Sequence, residues 1–451
     1  MPKPFSSMTL EELLDPSGHP CSCGRVHKSG LEYLKIGEDA LDALPEALEK
    51  LGCSRPFVVC DLRTKAAAWE KVKAVLDQNQ TPYTFYCLNQ EQPEPDEHAM
   101  GSLVMAFDPN CDLVLGIGSG VINDSCKVLA RAVGRPCAIC GTAPSMDGYA
   151  SNSSSMIISG MKVSLYNACP EAVIADSAIM RKAPERMLWA GLGDMLAKYV
   201  SVCEWRISHL VTGEYYCENI AGLVRRSVAD VVNAAPGLMK REPEAIQAVA
   251  QGLVLSGVAM GFAENSRPAS GVEHYFSHIW DMMALRRGQP YDLHGIHVGV
   301  ATLLTLGLYD KLRAYTPDEQ TALAKAASFD PDRWEQSVRN TFGGTAESVL
   351  KLEQTVRKND PANHRRRLQN ILTHWDEIQQ IIREELPETA RIEQLMRDAG
   401  MPITPGDIGI PRQDVYDAYI GSRDMRDKYV TTSLLWDLGV LYAWMDREEN
   451  K

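Results

Sequence analysis

The sequence lacks a basic surplus, and that absence removes a class of function at the outset. Against 46 Lys and Arg stand 59 Asp and Glu, a formal net charge of −13. Binding to nucleic acid or to an anionic membrane is driven by clustered Lys and Arg, so neither is expected. A small basic pocket for a single phosphate remains compatible with the balance. A dense cysteine framework is also missing. The twelve cysteines are scattered, several of them (Cys60, Cys126, Cys137) within apolar runs, which reads as reduced thiols rather than the staples of a small secreted domain. The opening MPKPFSSMTLEELLDPSG has no apolar h-region and carries acids early, so the expectation is a cytoplasmic protein without a secretory leader. Internal repeats are absent, and low complexity is confined to a Pro/Glu loop at 90–96. Long charge-free runs are rare. The exception, AIQAVAQGLVLSGVAMGFA at 245–263, has nearly the length that spans a bilayer, but its Gln, Ser and Gly content and its lack of aromatic or basic anchors make a buried helix the expectation.

What is present is an ordinary globular composition, 45% hydrophobic and 23% charged, in a chain long enough for two cores. Short apolar runs at 55–61, 84–88, 113–117 and 137–140 alternate with helical stretches at 40–51, 65–79 and 123–133. This alternation predicts a doubly wound parallel sheet. Beyond Pro184 the period changes to that of helices, at 185–208, 214–234, 243–263, 272–285 and 295–314, followed by amphipathic helices at 316–329, 345–357, 364–386 and 388–399. The expected organisation is an extension at 1–30, an α/β domain at 31–183, and an all-helical domain at 184–451.

Several stretches carry chemistry. DLVLGIGSGVINDSCK (112–127) runs a buried strand through Gly116, Gly118 and Gly120 into a helix, so that backbone N–H groups at a helix start could meet a pyrophosphate; Asp124 lies in the first turn. A tight strand–helix turn without ligand fits the same residues. GTAPSMDGYAS (141–151) puts Thr142, Ser145, Asp147 and Ser151 after a strand end, where open α/β sheets bind ligands; a plain polar loop is the alternative. Asp194 sits in the helical run WAGLGDMLAKY, where an unpaired carboxylate would be costly, and it calls for a cation, either Lys198 or a metal. Four of the ten histidines, His274, His278, His294 and His297, fall between 274 and 297. His274 and His278 share a helix face, and imidazoles with one carboxylate compose a divalent-metal site. Arg267 and Ser270 precede them as a candidate anion clamp, with a Ser270–Glu273 capping box as the competing reading. Near the N-terminus, His19, Cys21, Cys23 and His27 are candidate ligands of a structural metal, although their spacing is tighter than the usual zinc patterns, and a plain hairpin is the alternative.

Taken in order and at their separations, GIGSGVIND, TAPSMDGYAS, GLGDMLAKY, SRPASGVEHYFSH and LHGIHVG resemble the sn-glycerol-1-phosphate dehydrogenases. The resemblance is to the bacterial AraM-type branch of the iron-dependent alcohol dehydrogenase, glycerol dehydrogenase and dehydroquinate synthase superfamily, over roughly residues 30–400. It implies a dehydroquinate synthase-like fold with an NAD(P)-binding domain at 31–183 and a helical metal- and substrate-binding domain at 184–451. It implies Asp194, His274 and His294 as ligands of one divalent metal (zinc or nickel, with iron as a third candidate), and it moves His278 from ligand to proton relay. It places the dinucleotide pyrophosphate on Gly118, Ser119 and Gly120, with Asp124 beside them, and the adenosine side on Asp61. The nicotinamide side falls on Thr142, Ser145, Asp147 and Ser151. The implied substrate is a small phosphorylated ketone or polyol held by Arg267 and Ser270, and the implied assembly is a homo-oligomer, a dimer or larger. A related lyase that uses NAD catalytically is the alternative. Asp61 favours NAD, whereas Arg63 could receive the 2′-phosphate of NADP. The chain departs from the family in its N-terminal Cys/His segment, in the region beyond 400, and at Ile296-His297.

Overall fold

PFVVCD at 56–61 and LVLGIG at 113–118 are buried at every residue, the pattern of strands covered on both faces of a parallel sheet. The computed structural model describes residues 3–90 and 93–449. Of the expected Pro/Glu loop, residues 91 and 92 lie outside that range. Among the described residues there are two antiparallel hairpins, β1 (His19–Pro20) with β2 (Val26–His27), and β8 (Ser153–Ile158) with β9 (Met161–Tyr166). The remaining strands are β3 (Tyr33–Gly37), β4 (Pro56–Asp61), β5 (Thr84–Leu88), β6 (Leu113–Gly118), β7 (Cys137–Gly141) and β10 (Ala172–Asp176). They form one parallel sheet in the order β3-β10-β7-β6-β4-β5. The doubly wound expectation is met.

The strand order positions the site. From β4 the chain moves outward to β5, then returns to β6 on the other side of β4. The winding reverses between β4 and β6, and open α/β sheets bind ligands beyond the carboxyl ends of the strands at such a point. Asp61 ends β4 and Gly118 ends β6. One face of the sheet is packed by Leu44, Leu48, Trp69, Val72 and Leu76 against Val58, Leu115 and Ile174.

Seven helices matter for the site: α1 (Gly120–Val133), α2 (Glu185–Leu196), α3 (Lys198–Thr212), α4 (Glu218–Leu238), α5 (Pro243–Ala263), α6 (Val272–Arg286) and α7 (His294–Arg313). Further helices follow to residue 449. The expected single helix at 185–208 breaks at Ala197, and that at 364–386 breaks at His374. The charge-free run is α5, and 78% of its most apolar window is buried.

Contacts divide the chain into two units, one comprising Met1–Met195 with Cys217–Ala269, the other Leu196–Tyr216 with Ser270–Lys451. This differs from a boundary near 182–185, because α4 and α5 belong with the sheet. Glycines bring α5 close to its neighbours: a Cβ on Gly257 would lie 2.8 Å from Ala150, and one on Gly252 would lie 2.7 Å from Val231. Periodicity identifies a helix but not the layer it joins.

Candidate dinucleotide loop and metal-ligand helices

In the first unit, β6 ends at Gly118 and α1 starts at Gly120, with Ser119 between them. The Ser119 side chain makes no cap hydrogen bond. The first N–H groups of α1 therefore have no side-chain cap, which is the chemistry an anion needs at a helix start. Gly118 is required by packing: a Cβ there would stand 2.5 Å from Cβ of Ile122. Gly120 meets nothing closer than 3.9 Å, so its place in the motif owes nothing to packing. Beside this turn, β7 pairs Gly141 with Gly118, and the Thr142 N–H donates to Gly118 O at 3.1 Å. Asp61 caps the turn after β4, accepting from the Thr64 N–H at 2.7 Å through Oδ1.

The loop from Thr142 to Ser151 is held from within and from below. Tyr149 is buried, its hydroxyl donates to Ala143 O at 2.6 Å, and burial pushes its phenol far above the ordinary range. Lys127, on α1, has its ammonium group wholly buried, with Nζ donating to Gly148 O at 3.1 Å, Ser151 Oγ at 3.4 Å and Ser153 O at 2.5 Å. Its counter-ion is Asp124, at 3.1 Å. Both oxygens of Asp124 are engaged, Oδ1 by Lys127 and Asn123, and Oδ2 by the Ser155 N–H at 2.8 Å. Asp124 thus anchors the β8–β9 hairpin rather than facing a cofactor, because its carboxylate turns toward the buried lysine. The Ser151 hydroxyl is likewise committed to Gly148 O and Ser153 O, at 3.2 and 3.1 Å. Thr142 and Ser145 are buried on the same loop.

Asp194, on α2, is completely buried, and its Oδ2 accepts the Asp147 N–H at 2.9 Å. Asp147 in turn accepts the Ser256 hydroxyl from α5 at 2.9 Å. Close approach of the loop to α2 depends on Gly191, where a Cβ would fall 1.9 Å from Pro144 O. The structure thus joins Asp147 to Asp194 through the backbone N–H of one and the carboxylate of the other. Arg267 is 2% exposed, in a turn where its N–H donates to Asn265 Oδ1 at 2.9 Å.

In the second unit, α6 and α7 carry the histidines. His274 Nδ1 lies 2.8 Å from Oε1 of the fully buried Glu273, and the same oxygen accepts the Gly271 N–H at 2.7 Å. A carboxylate acceptor fixes the proton on Nδ1 and leaves Nε2 as the coordinating nitrogen, the arrangement found around metal-bound imidazoles. His294 Nδ1 meets the Ser277 hydroxyl at 3.1 Å. The two ring centroids are 5.2 Å apart, and His278 stacks on His294 at 5.3 Å. The donor set therefore fits a divalent cation that accepts nitrogen ligands. Candidate ligand atoms of His278, Asp281 and His294 also lie within 4.8 Å of one another. Asp281 is already bonded to His297 Nδ1 at 2.8 Å, with both residues buried.

Ser270 is not the helix cap: α6 is capped at Gly271 with no side-chain bond, and Glu273 reaches back to the Gly271 N–H. The Ser270 carbonyl accepts from Lys428 at 3.1 Å. Glu273, Ser277, Lys127 and Ser256 were not singled out as functional from the sequence. A Glu immediately before a candidate ligand histidine was the one available signal. Lys127 and Ser256 gave none, because the Gly148 carbonyl and the Asp147 carboxylate that they hold are 21 and 109 positions away.

The description "Iron-containing alcohol dehydrogenase" belongs to a family model that matches residues 35–184. A glycerol-1-phosphate dehydrogenase [NAD(P)+] of Halalkalibacterium halodurans is 33% identical over 294 residues, 64% of this chain and 73% of the relative. One from Geobacillus stearothermophilus is 30% identical over 340 residues, 74% and 83% of the two chains. Among solved structures, glycerol dehydrogenase from Schizosaccharomyces pombe superposes with a TM-score of 0.61 at 15% identity, covering 94% of this chain and 92% of that one. NADH-dependent butanol dehydrogenase A from Thermotoga maritima gives 0.57 at 12% identity, covering 94% and 99%. At these identities the two structures speak to the fold, which they share.

Proposed function

Because this chain belongs to the glycerol-1-phosphate dehydrogenase [NAD(P)+] family, we propose that it is an oxidoreductase interconverting dihydroxyacetone phosphate and sn-glycerol 1-phosphate with NAD(P)H as hydride donor. The observation that carries this reading is the pair of imidazoles His274 and His294, each held at Nδ1 by a neighbour, in a chain that also has an uncapped helix start after β6. In the reductive direction a hydride goes to the carbonyl carbon and a proton to its oxygen. Asp194, His274 and His294 would hold one divalent cation, zinc, nickel or iron, whose chemistry is to polarise the carbonyl and stabilise negative charge on its oxygen.

The other roles fall to the chain's own groups. The N–H groups at Gly118, Ser119 and Gly120 bind the pyrophosphate. Asp61 accepts a ribose hydroxyl, with Arg63 as the alternative receiver of a 2′-phosphate. Thr142, Ser145, Asp147 and Ser151 shape the nicotinamide side, where Asp147 also orients Asp194 through its N–H. Arg267 and Ser270 bind the substrate phosphate, and the half-buried His278 passes the proton. None of the twelve cysteines is joined in a disulfide, which fits the reducing, cytoplasmic setting we propose. The assembly we propose is a homo-oligomer, to be checked by light scattering.

The experiment is NADH or NADPH oxidation with dihydroxyacetone phosphate by the wild type and by His274→Ala. Loss of turnover and of the metal held by Asp194, His274 and His294 is expected in the variant, and full activity would overturn the site. A substrate consumed with no net change in dinucleotide would indicate the lyase instead.

A further inference from the structure

Outside the site just described, the first unit holds a second group of soft ligands. We infer that Cys21, Cys23, His27 and Cys217 form a four-coordinate zinc site that clasps the N-terminal segment to the start of α4. One sulfur or nitrogen from each of the four lies within 4.8 Å of all the others. The individual edges are informative. Cys21 Sγ is 3.6 Å from Cys217 Sγ, Cys23 Sγ is 3.2 Å from His27 Nε2, and Cys217 Sγ is 3.7 Å from His27 Nε2. A tetrahedral zinc with bonds of about 2.3 Å to sulfur and about 2.0 Å to nitrogen has S···S edges of about 3.8 Å and S···N edges of about 3.5 Å. The cage has the size of that ion, and three thiolates with one imidazole are a recurrent structural zinc set.

The surroundings support ligation. His27 is 1% exposed, and its Nδ1 lies 2.8 Å from Phe262 O. A carbonyl can only accept, so the proton sits on Nδ1 and the Nε2 lone pair faces the sulfurs, as an outer-shell partner arranges for a metal-binding histidine. Cys217, also 1% exposed, is the residue at which α4 begins and makes no side-chain cap bond; a helix N-terminus favours the thiolate. The Asn219 amide donates to Cys21 Sγ at 3.2 Å. Cys21 and Cys23 lie on a tight turn, with the Gly24 N–H donating to Cys21 O at 3.0 Å and Gly24 at φ +85°. His19, the fourth member of the cluster expected from sequence, is not part of the cage: its ring packs edge-on at Phe5, 5.7 Å between centroids, and its Nε2 faces Leu13 O. Cys217, almost two hundred positions away, takes the place expected for His19. The clasp has further support in Arg226, on α4, which donates to Ser6 O and Met8 O at 2.9 and 3.1 Å.

The test counts zinc and reads its ligands. Purified His274→Ala protein, in which the metal of the proposed active site is lost, should retain one zinc equivalent per chain by elemental analysis. The same protein carrying Cys21→Ser and Cys217→Ser should retain none. Replacing zinc with cobalt in the Cys-intact protein should give the intense near-ultraviolet sulfur-to-cobalt charge-transfer band that a carboxylate-and-histidine site cannot produce. If the serine variant fails to fold, a thiol-blocking mercurial added to wild-type protein should release one zinc per chain. Unchanged zinc in the serine variant, absence of the charge-transfer band, or a Cys21–Cys217 disulfide in place of metal would each overturn the site. None of these readouts depends on turnover, so they stand apart from the dehydrogenase reading.

Discussion

Glu273 shows how much a single residue can contribute without touching substrate. One of its oxygens holds both the start of α6 and His274 Nδ1, so the orientation of a proposed ligand depends on it. Glu273→Gln keeps the shape but weakens the acceptor, and metal affinity should fall by about tenfold or more, measured by competition with a chelator; unchanged affinity would remove Glu273 from the site. Lys127 is the corresponding residue in the first unit. Lys127→Met leaves Asp124 without its counter-ion and several carbonyls without a donor, so it should cost about 3–5 kcal/mol, read from the denaturant midpoint. The KM for the dinucleotide should rise with it, because the 148–153 backbone that Lys127 holds continues the nicotinamide-side loop. A stability loss with unchanged KM would confine Lys127 to a structural role. His274 was visible in the sequence because histidines are rare and clustered. Lys127 was not, since a lysine on an amphipathic helix ordinarily faces water and only the position of the hairpin buries it.

Among elements, the glycines decide how closely helices approach the sheet and the loop. Gly118→Ala forces Ile122 away from β6, and overpacking of this kind costs about 1–3 kcal/mol, with weaker dinucleotide binding as the helix start shifts. Gly191→Ala should be worse, because the obstruction is the backbone oxygen of Pro144 at 1.9 Å and cannot rotate away. Thermal midpoints in the order wild type, Gly118→Ala, Gly191→Ala are expected, and the reverse order of the two variants would contradict the packing account. At this scale the sequence was legible where apolar periods were long. The helix at 243–263 has the bounds that periodicity assigned, and β5 likewise at 84–88. It was illegible for β3, β8, β9 and β10, although β5 is no longer than they are. β9 is only partly buried, so no apolar run marks it, and the edge strand β3 mixes Tyr, Lys and Gly.

For the molecule as a whole, a set of capping carboxylates makes stability sensitive to acid. Burial opposes ionisation of Asp112, but hydrogen bonds from Arg55 N–H, Ser54 N–H and the Ser54 hydroxyl outweigh it and hold the carboxyl below its ordinary 3.8. Asp318 is lowered chiefly by the Thr321 N–H, and Asp407 by the Ile403 N–H. Each folded value lies below the unfolded one, so the stabilisation is full above the ordinary carboxylate range and is lost as pH falls through it. Tm should therefore be flat above about pH 5 and decline below it, and Asp112→Asn should flatten part of that decline; an equal slope in the variant would rule out Asp112 as a contributor.

The sequence by itself determined the chemistry available and its order along the chain. The glycine turn after β6, the Thr142–Ser151 loop, Asp194 and the paired histidines are local patterns, and a strand followed by a helix fixes what its own backbone can offer. The fold class followed from periodicity for the same reason. Tertiary structure alone decided which distant groups share a bond: Asp147 with Asp194, Lys127 with the hairpin, α4 and α5 with the sheet, and Cys217 with the N-terminal thiols in place of His19. Such pairings depend on close packing between segments far apart in the chain, and composition and spacing carry no record of that.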